Sequence, residues 1–241
     1  PIAFNHNQAK ELVELAEDNE LILSVSLYRR LYPSLNLLKE LVHNETWGEV
    51  ESFNFNWGDF YSWSASSLGN MKKELAGGGV LMDLGPHALD WLSFIFPDGM
   101  KLGSYKDDAV TGIETDCELN LSCTHKEREI KGKVLLSRIR SLGGDLTIHC
   151  TQADLNLSVG ERFSVQIIPK ADDSKQSSTV ELNYSCKNSK VANTEEWFET
   201  FGKEHDDFFD AINSGQQAAL SGRSALAAAK IIDECYLSKD K

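Results

Sequence analysis

The sequence predicts an α+β protein built on a largely antiparallel sheet, and three observations carry that prediction. Between Lys101 and Tyr184, six segments rich in strand formers ("DCELNLSCT", "EIKGKVLLSRIR", "DLTIHCT", "ADLNLSV", "FSVQII", "TVELNY") are joined by short polar or glycine turns, the spacing of hairpin-linked strands. Segments with helical periodicity stand before and after this run instead of alternating with it. The chain has 241 residues, 41% hydrophobic and 25% charged, enough for a sizeable core.

Taken in order, Asn5 with Gln8 makes a capping box, and Ala9, Leu12, Val13 and Ala16 follow at helical spacing. The uniform apolar run "LILSVS" (21–26) reads as a strand buried on both faces. Tyr28, Arg29 and Arg30 then stand at that strand's carboxyl end, where open α/β sheets bind ligands. Two adjacent arginines are more often a solvated surface pair than a site. Pro33 suits the first turn of a helix with Leu37, Leu38, Leu41 and Val42 as its stripe. "EVESFNFNW" alternates Val50, Ser52 and Asn54 against Glu51, Phe53 and Phe55, a half-buried strand. Cys117, Leu119, Leu121 and Cys123 share one face of the first strand of the main run, as core residues would. "KADDSKQSS" (170–178) reads as a mobile loop. Two helices close the chain. Asn193 with Glu196 caps the first, whose stripe of Trp197, Phe198, Phe201, Phe208, Phe209 and Ile212 is expected to face the core. Ser221 caps the second, with Ala225, Ala228, Ala229, Ile232, Cys235 and Tyr236 as a narrow packing seam.

Composition narrows the function. The chain carries 37 acidic against 24 basic side chains, a net charge of −13, so its surface repels phosphate backbones and anionic membranes, and nucleic acid is not an expected partner. Five scattered cysteines with no C-x-x-C pair fit a reduced, cytoplasmic setting. Neither a basic-then-apolar leader nor an apolar run of membrane-spanning length is present, so a membrane role is not expected. Matches to N-x-[ST] at Asn44, Asn120, Asn156 and Asn183 are read as chance.

The chemistry concentrates in "GGGVLMDLGPHALD" (77–90). Three glycines permit close backbone approach. In the helix that follows, running to about Phe96, Asp83 and His87 are one turn apart on one face, with Asp90 a further three residues on. Pro86 lacks a backbone donor, so this helix is expected to start near Leu84, and Gly85 suggests a close approach by another group. Histidine passes protons near neutral pH, and a neighbouring carboxylate holds its ring and stabilises its charged form. The pair therefore suits general acid/base work, unless it is simply a helix-start aspartate with a satisfied histidine. Two ligands are too few for a metal, and none is expected.

In the order "PIAFN", "SVSLYRRLYPSL" and "GGGVLMDLGPHALD", followed by the antiparallel run and two helices, the sequence resembles the glucose-fructose oxidoreductase/inositol dehydrogenase/rhizopine catabolism (Gfo/Idh/MocA) family of NAD(P)-dependent oxidoreductases. The resemblance implies an open sheet with helices on one face, preceded by the remnant helix and strand of a Rossmann-type domain. Residues 1–30 would then be the end of a dinucleotide-binding domain, and 31–241 a substrate-binding and oligomerisation domain. Pro1 resembles the proline of the family's E-K-P motif, and no G-x-G-x-x-G occurs in the chain, so the chain alone is expected to be inactive. The resemblance implies hydride transfer between NAD or NADP and a sugar, polyol or related hydroxy compound. His87 would be the catalytic proton donor or acceptor, and Asp83 would orient substrate and histidine. Arg30, with Tyr28 and Arg29, would edge the nicotinamide. A homo-oligomer through the open sheet face is implied as well. "WGDFYSW" (57–63) would lie on the substrate side. A non-catalytic sugar- or dinucleotide-sensing regulator on the same fold is the alternative.

Overall fold

The computed structural model describes residues 1–62, 69, 72–110, 112–170, 180–183 and 195–239. Its centre is an eight-stranded sheet in the order β2-β3-β4-β1-β5-β6-β7-β8. The strands are β1 (Val50–Gly58), β2 (Met100–Asp107), β3 (Asp116–His125), β4 (Arg128–Ser137), β5 (Gly143–Cys150), β6 (Ala153–Ser158), β7 (Ser164–Pro169) and β8 (Val180–Asn183). Every pairing is antiparallel except β1 with β4, which run parallel from Ser52–Lys131 to Gly58–Ser137. The first strand in sequence thus lies in the middle of the sheet and joins two meanders.

Strict alternation on β3 buries Cys117, Leu119, Leu121, Cys123 and His125, as the period of two requires. In β1 a register shift between Val50 and Ser52 breaks the alternation, so Val50 joins Phe53 and Phe55 in the core instead of facing away from them. The helices α2 (Pro33–His43), α4 (Val80–Ile95) and α6 (Leu226–Lys239) cover one face. Their buried residues, among them Leu35, Leu38, Leu89, Trp91, Leu92 and Ile232, form one core with the inner sheet residues. The other face is left bare and polar: Asn54, Asn120, Lys131, Lys133, His149 and Asn156 are only partly covered or exposed.

Four local expectations are met differently. Residues 21–26 form no strand but a single bridge, Ser24 with Ser221, and none of them is buried. No neighbouring strand among the described residues offers them a ladder, and the amides of Val25 and Gly222 bond instead to the carbonyls of Leu220 and Leu23. α4 begins at Val80, with Pro86 inside it. α5 (Glu195–Ser214) leaves Phe209 and Ile212 at least half exposed, because the core is already covered by α2, α4 and α6. Ser221 opens a short 3-10 turn (Gly222–Ala225) ahead of α6 and makes no side-chain cap. By contrast, α1 (His6–Asp18) is capped as its spacing predicts, Asn5 Oδ1 accepting from the Gln8 amide at 2.9 Å. The segment 170–178 lies, but for Lys170, outside the described residues, as do Asn193 and the side chains of Trp197 and Phe198.

Candidate functional site

The start of α4 explains the three glycines. Gly77 ends the short helix α3 (Lys73–Ala76) at φ +78°, a backbone conformation that glycine adopts without strain. A Cβ on Gly78 would lie 2.0 Å from the Tyr236 hydroxyl, and one on Gly79 would lie 1.8 Å from the Glu114 carbonyl oxygen. The close approach is therefore made by the protein's own chain. Buried Glu114 supplies what Pro86 and the glycines do not. Its Oε1 accepts hydrogen bonds from the amides of Gly79 (2.9 Å) and Leu81 (3.0 Å) and from the Tyr236 hydroxyl (2.8 Å), while its carbonyl accepts from Val80 (2.9 Å). A carboxylate against the first-turn amides satisfies orphan donors and the helix dipole together, which is why the helix begins ahead of its proline. At Gly85 the close neighbours are Leu81 and Ile232 of α6, a packing contact.

From this anchored start α4 carries Asp83 and His87 to the wall of an open cleft of about 410 Å³, within the range of small-molecule sites. A 3-10 turn (Tyr28–Leu31) supplies Tyr28 and Arg29. β1 supplies Trp57, and the segment after it Asp59, Phe60, Tyr61 and Ser62. Ser137 and Arg138 come from the end of β4. Because β1 and β4 are parallel, both carboxyl ends reach the same place. The imidazole of His87 lies between aromatic rings, 6.4 Å from Tyr28 and 6.1 Å from Trp57, centroid to centroid. On its other side it borders an apolar cavity of about 50 Å³ lined by Val25, Met82, Ala228 and Ile232, which holds few polar groups. The chemistry belongs to the cleft.

Burial, then the nearby Arg29 guanidinium, lowers the His87 pKa to about 4, against the opposing pull of Asp83. The ring is thus neutral near pH 7 and free to accept a proton. Asp83 is half-exposed and forms an ion pair of 2.6 Å with the largely buried Arg138; among the described residues it makes no hydrogen bond to His87. The Arg29 guanidinium is held between Tyr28 and Trp57, 5.0 Å from each ring.

Of the five residues singled out from sequence, His87, Asp83, Tyr28 and Arg29 line this cleft. Arg30 does not. Its guanidinium turns under the 3-10 turn to meet Asp90, Nε at 2.9 Å and Nη2 at 2.6 Å, and also reaches the Ser93 hydroxyl and the Ser224 carbonyl. Burial pushes the Asp90 carboxyl up, against the pull of Arg30. This clasp ties the Tyr28–Arg29 turn to α4. Sequence reasoning missed Arg138 and Glu114, which no local pattern marks. Trp57, Asp59, Phe60, Tyr61 and Ser62 of the aromatic segment do line the cleft, while Trp63 lies outside the described residues. Among the described residues no group of three His, Cys, Asp or Glu is placed to hold a metal ion, and no helix is long and apolar enough to cross a membrane.

A family model described as the GFO/IDH/MocA C-terminal domain matches residues 35–156. The trans-1,2-dihydrobenzene-1,2-diol dehydrogenase of Sus scrofa is 25% identical over 116 residues, 47% of this chain and 31% of that protein. Oxidoreductase P35 of Formosa agariphila is 28% identical over 125 residues, 49% of this chain and 39% of that protein. The matched stretch thus spans well under half the length of either relative. Among solved structures, levoglucosan dehydrogenase in complex with NADH and levoglucosan superposes with a TM-score of 0.82 at 17% identity, covering 100% of this chain and 70% of that one. Aldose-aldose oxidoreductase from Caulobacter crescentus, complexed with glycerol, superposes at 0.78 and 12% identity, over 100% and 68% of the two chains. At such identities the likeness is one of fold.

Proposed function

The chain belongs to the GFO/IDH/MocA family, and from that premise we propose that the intact protein is an NAD(P)-dependent oxidoreductase acting on a sugar, polyol or related hydroxy compound. The observation that carries this reading is His87: an imidazole kept neutral by burial, on the wall of a ligand-sized cleft, one helical turn from a carboxylate. Tyr28 and Arg29 would border a nicotinamide bound at the cleft, which would supply or accept the hydride. His87 takes the hydroxyl proton when the substrate is oxidised and returns it when a carbonyl is reduced. Asp83, itself steadied by Arg138, orients the substrate hydroxyl and counters the charge that His87 acquires. Tyr28 and Arg29 border the nicotinamide side, and Arg30 supports them through Asp90. The cleft fits a nicotinamide edge only in part, since this chain supplies a wall but no glycine-rich phosphate loop.

The names of the solved neighbours, which act on or bind levoglucosan, aldoses and nicotinamide nucleotides, support the substrate class and the cofactor. Residues 1–30 are read as the end of a dinucleotide-binding domain and 31–241 as the substrate and oligomerisation domain. Four exposed apolar side chains on and beside α1, Phe4, Leu12, Leu15 and Leu21, are consistent with a further domain covering it. By itself this chain is inactive in this reading. Subunits would pair through the bare sheet face, by polar contacts, in a reducing cytoplasm that keeps the buried thiols of Cys117, Cys123, Cys150 and Cys235 free.

The test is turnover of a panel of sugars and polyols by the full-length protein with NAD and NADP. His87→Ala should lower kcat by about 10²–10⁴-fold. Unchanged turnover in that variant would remove His87 from the chemistry, and turnover of nothing by the wild type would favour the sensing regulator.

A further inference from the structure

Resting on the oxidoreductase reading, we infer that Arg29 is a specificity-determining residue and that the substrate of the cleft is a hydroxy acid, a sugar acid in place of a neutral sugar, whose carboxylate docks on the Arg29 guanidinium. The inference starts from charge. Of the other six arginines, Arg30, Arg128, Arg138, Arg140 and Arg223 each have a carboxylate partner within 4 Å, and Arg162 lies over the Tyr32 ring, outside the cleft. Arg29 has no ion-pair partner among the described residues, in a chain with 37 acidic side chains. Its Nε is buried without a hydrogen-bond partner, and its guanidinium is clamped between the rings of Tyr28 and Trp57. A partly buried cation with no anionic partner and a buried, unbonded Nε costs free energy, and an anion that joins it recovers part of that cost. Held rigid by two rings, the fork loses little further entropy on meeting a planar carboxylate.

The remaining charges of the cleft do not fill this role. Asp83 is engaged by Arg138 at 2.6 Å. Asp59 is exposed and accepts from the Phe60 amide at 2.8 Å. The chemistry points the same way. In the oxidation direction His87 takes up a proton, and an unpaired cation beside it opposes that step: the Arg29 charge depresses the imidazole. A substrate carboxylate on Arg29 removes the opposition only when the right substrate is present, so substrate charge and proton uptake become coupled. A neutral sugar would leave the cation beside the proton acceptor uncompensated.

The experiment uses the full-length protein with NAD or NADP and matched pairs of probes: hexuronates and hexonates against the hexoses and hexitols of the same configuration. The carboxylate member should be preferred by at least about tenfold in kcat/KM. Arg29→Gln should raise the KM of the carboxylate member about 10–100-fold and act far less on the neutral probe, so that the preference for the carboxylate member is lost, and Arg29→Lys should recover part of that preference. Equal or better use of the neutral member overturns the inference. So does an Arg29→Gln effect that falls on the nucleotide, which would make a cofactor phosphate the anion, or one that falls equally on both probes, which would make Arg29 structural. Calorimetric titration with D-glucuronate and D-glucose, read without turnover, separates the two levels. Arg29-dependent, carboxylate-selective binding without turnover of any probe refutes the oxidoreductase reading and leaves only the docking of a carboxylate on Arg29 standing, whereas no binding and no turnover of any carboxylate probe refutes this inference.

Discussion

Removing the Glu114 side chain should be among the most damaging single changes outside the apolar core. One of its oxygens accepts three hydrogen bonds, from Gly79 at 2.9 Å, Leu81 at 3.0 Å and Tyr236 at 2.8 Å, and the side chain is buried. Glu114→Ala leaves two amides and a hydroxyl without a partner, at about 1–3 kcal/mol each. It also removes the negative charge from the start of α4, about 0.3–1 kcal/mol more. Water entering the space returns part of this, so the expected loss is about 3–5 kcal/mol, a large share of the ~5–15 kcal/mol that holds an ordinary domain folded. Glu114→Gln keeps a carbonyl acceptor in place and should cost about 1–2 kcal/mol, and Tyr236→Phe, which removes one donor and leaves the helix start intact, about 1 kcal/mol. Urea unfolding followed by tryptophan fluorescence gives the three values from the midpoints at constant slope. If Glu114→Ala unfolds within about 1 kcal/mol of the wild type, or if the order Ala, Gln, Phe is not kept, the anchoring argument for α4 is wrong.

Two further outcomes follow from the same geometry. His87 titrates near 4 when folded, chiefly through burial, against 6.5 for the free side chain; the unfolded chain binds the extra proton first, so stability is full above about pH 6.5 and falls toward pH 4, by up to about 3 kcal/mol for this group. His87→Gln should flatten that part of the stability-pH profile, and a profile unchanged by the substitution would mean that His87 is not buried in this way. Asp90→Ala strands the guanidinium of Arg30, 12% exposed, beside α4, and should cost about 3 kcal/mol in thermal or urea unfolding with reduced turnover by the full-length protein; a loss below about 1 kcal/mol would show that Ser93 and Ser224 suffice to hold the turn.

What the sequence revealed and what it hid divide along the range of the interactions. The face shared by Cys117, Leu119, Leu121 and Cys123 was legible because alternation is a property of neighbouring residues, and so was the turn that sets Asp83 beside His87. "LILSVS" carries the same apolar signal as a buried strand, but a strand exists only if another presents its edge, which no residue in the run itself can report. The stripe on α5 is as regular as that on α2; which of them reaches the core depends on which helix covers the sheet first. Arg138 and Glu114 meet Asp83 and Gly79 across 55 and 35 residues of chain, so their parts in the site could not be read from spacing. Arg29 and Arg30 were indistinguishable as a dipeptide, and a single 3-10 turn sends one into the cleft and the other to Asp90.

The parallel pairing of β1 with β4 has a bearing on how such a cleft can change. In a sheet made only of hairpins, adjacent strands leave by opposite ends, and a wall at one end must be assembled from alternate turns. Here Trp57 pairs with Leu136 and Gly58 with Ser137, so two exits separated by some eighty residues of chain open side by side. The two exits are tied to each other, the Asp59 amide bonding to the Ser137 carbonyl and the Tyr61 amide to the Arg138 carbonyl, so their backbones hold while the side chains they present to the cleft can be changed without moving Phe53 and Phe55 from the core. The scaffold thereby separates what must be kept, the register of β1, the anchored start of α4 and the Arg138–Asp83 pair, from what is free to vary, the other side chains that the two segments present to the cleft. New specificities can arise on this frame by changing a few residues at the ends of two strands, with His87 left where it is.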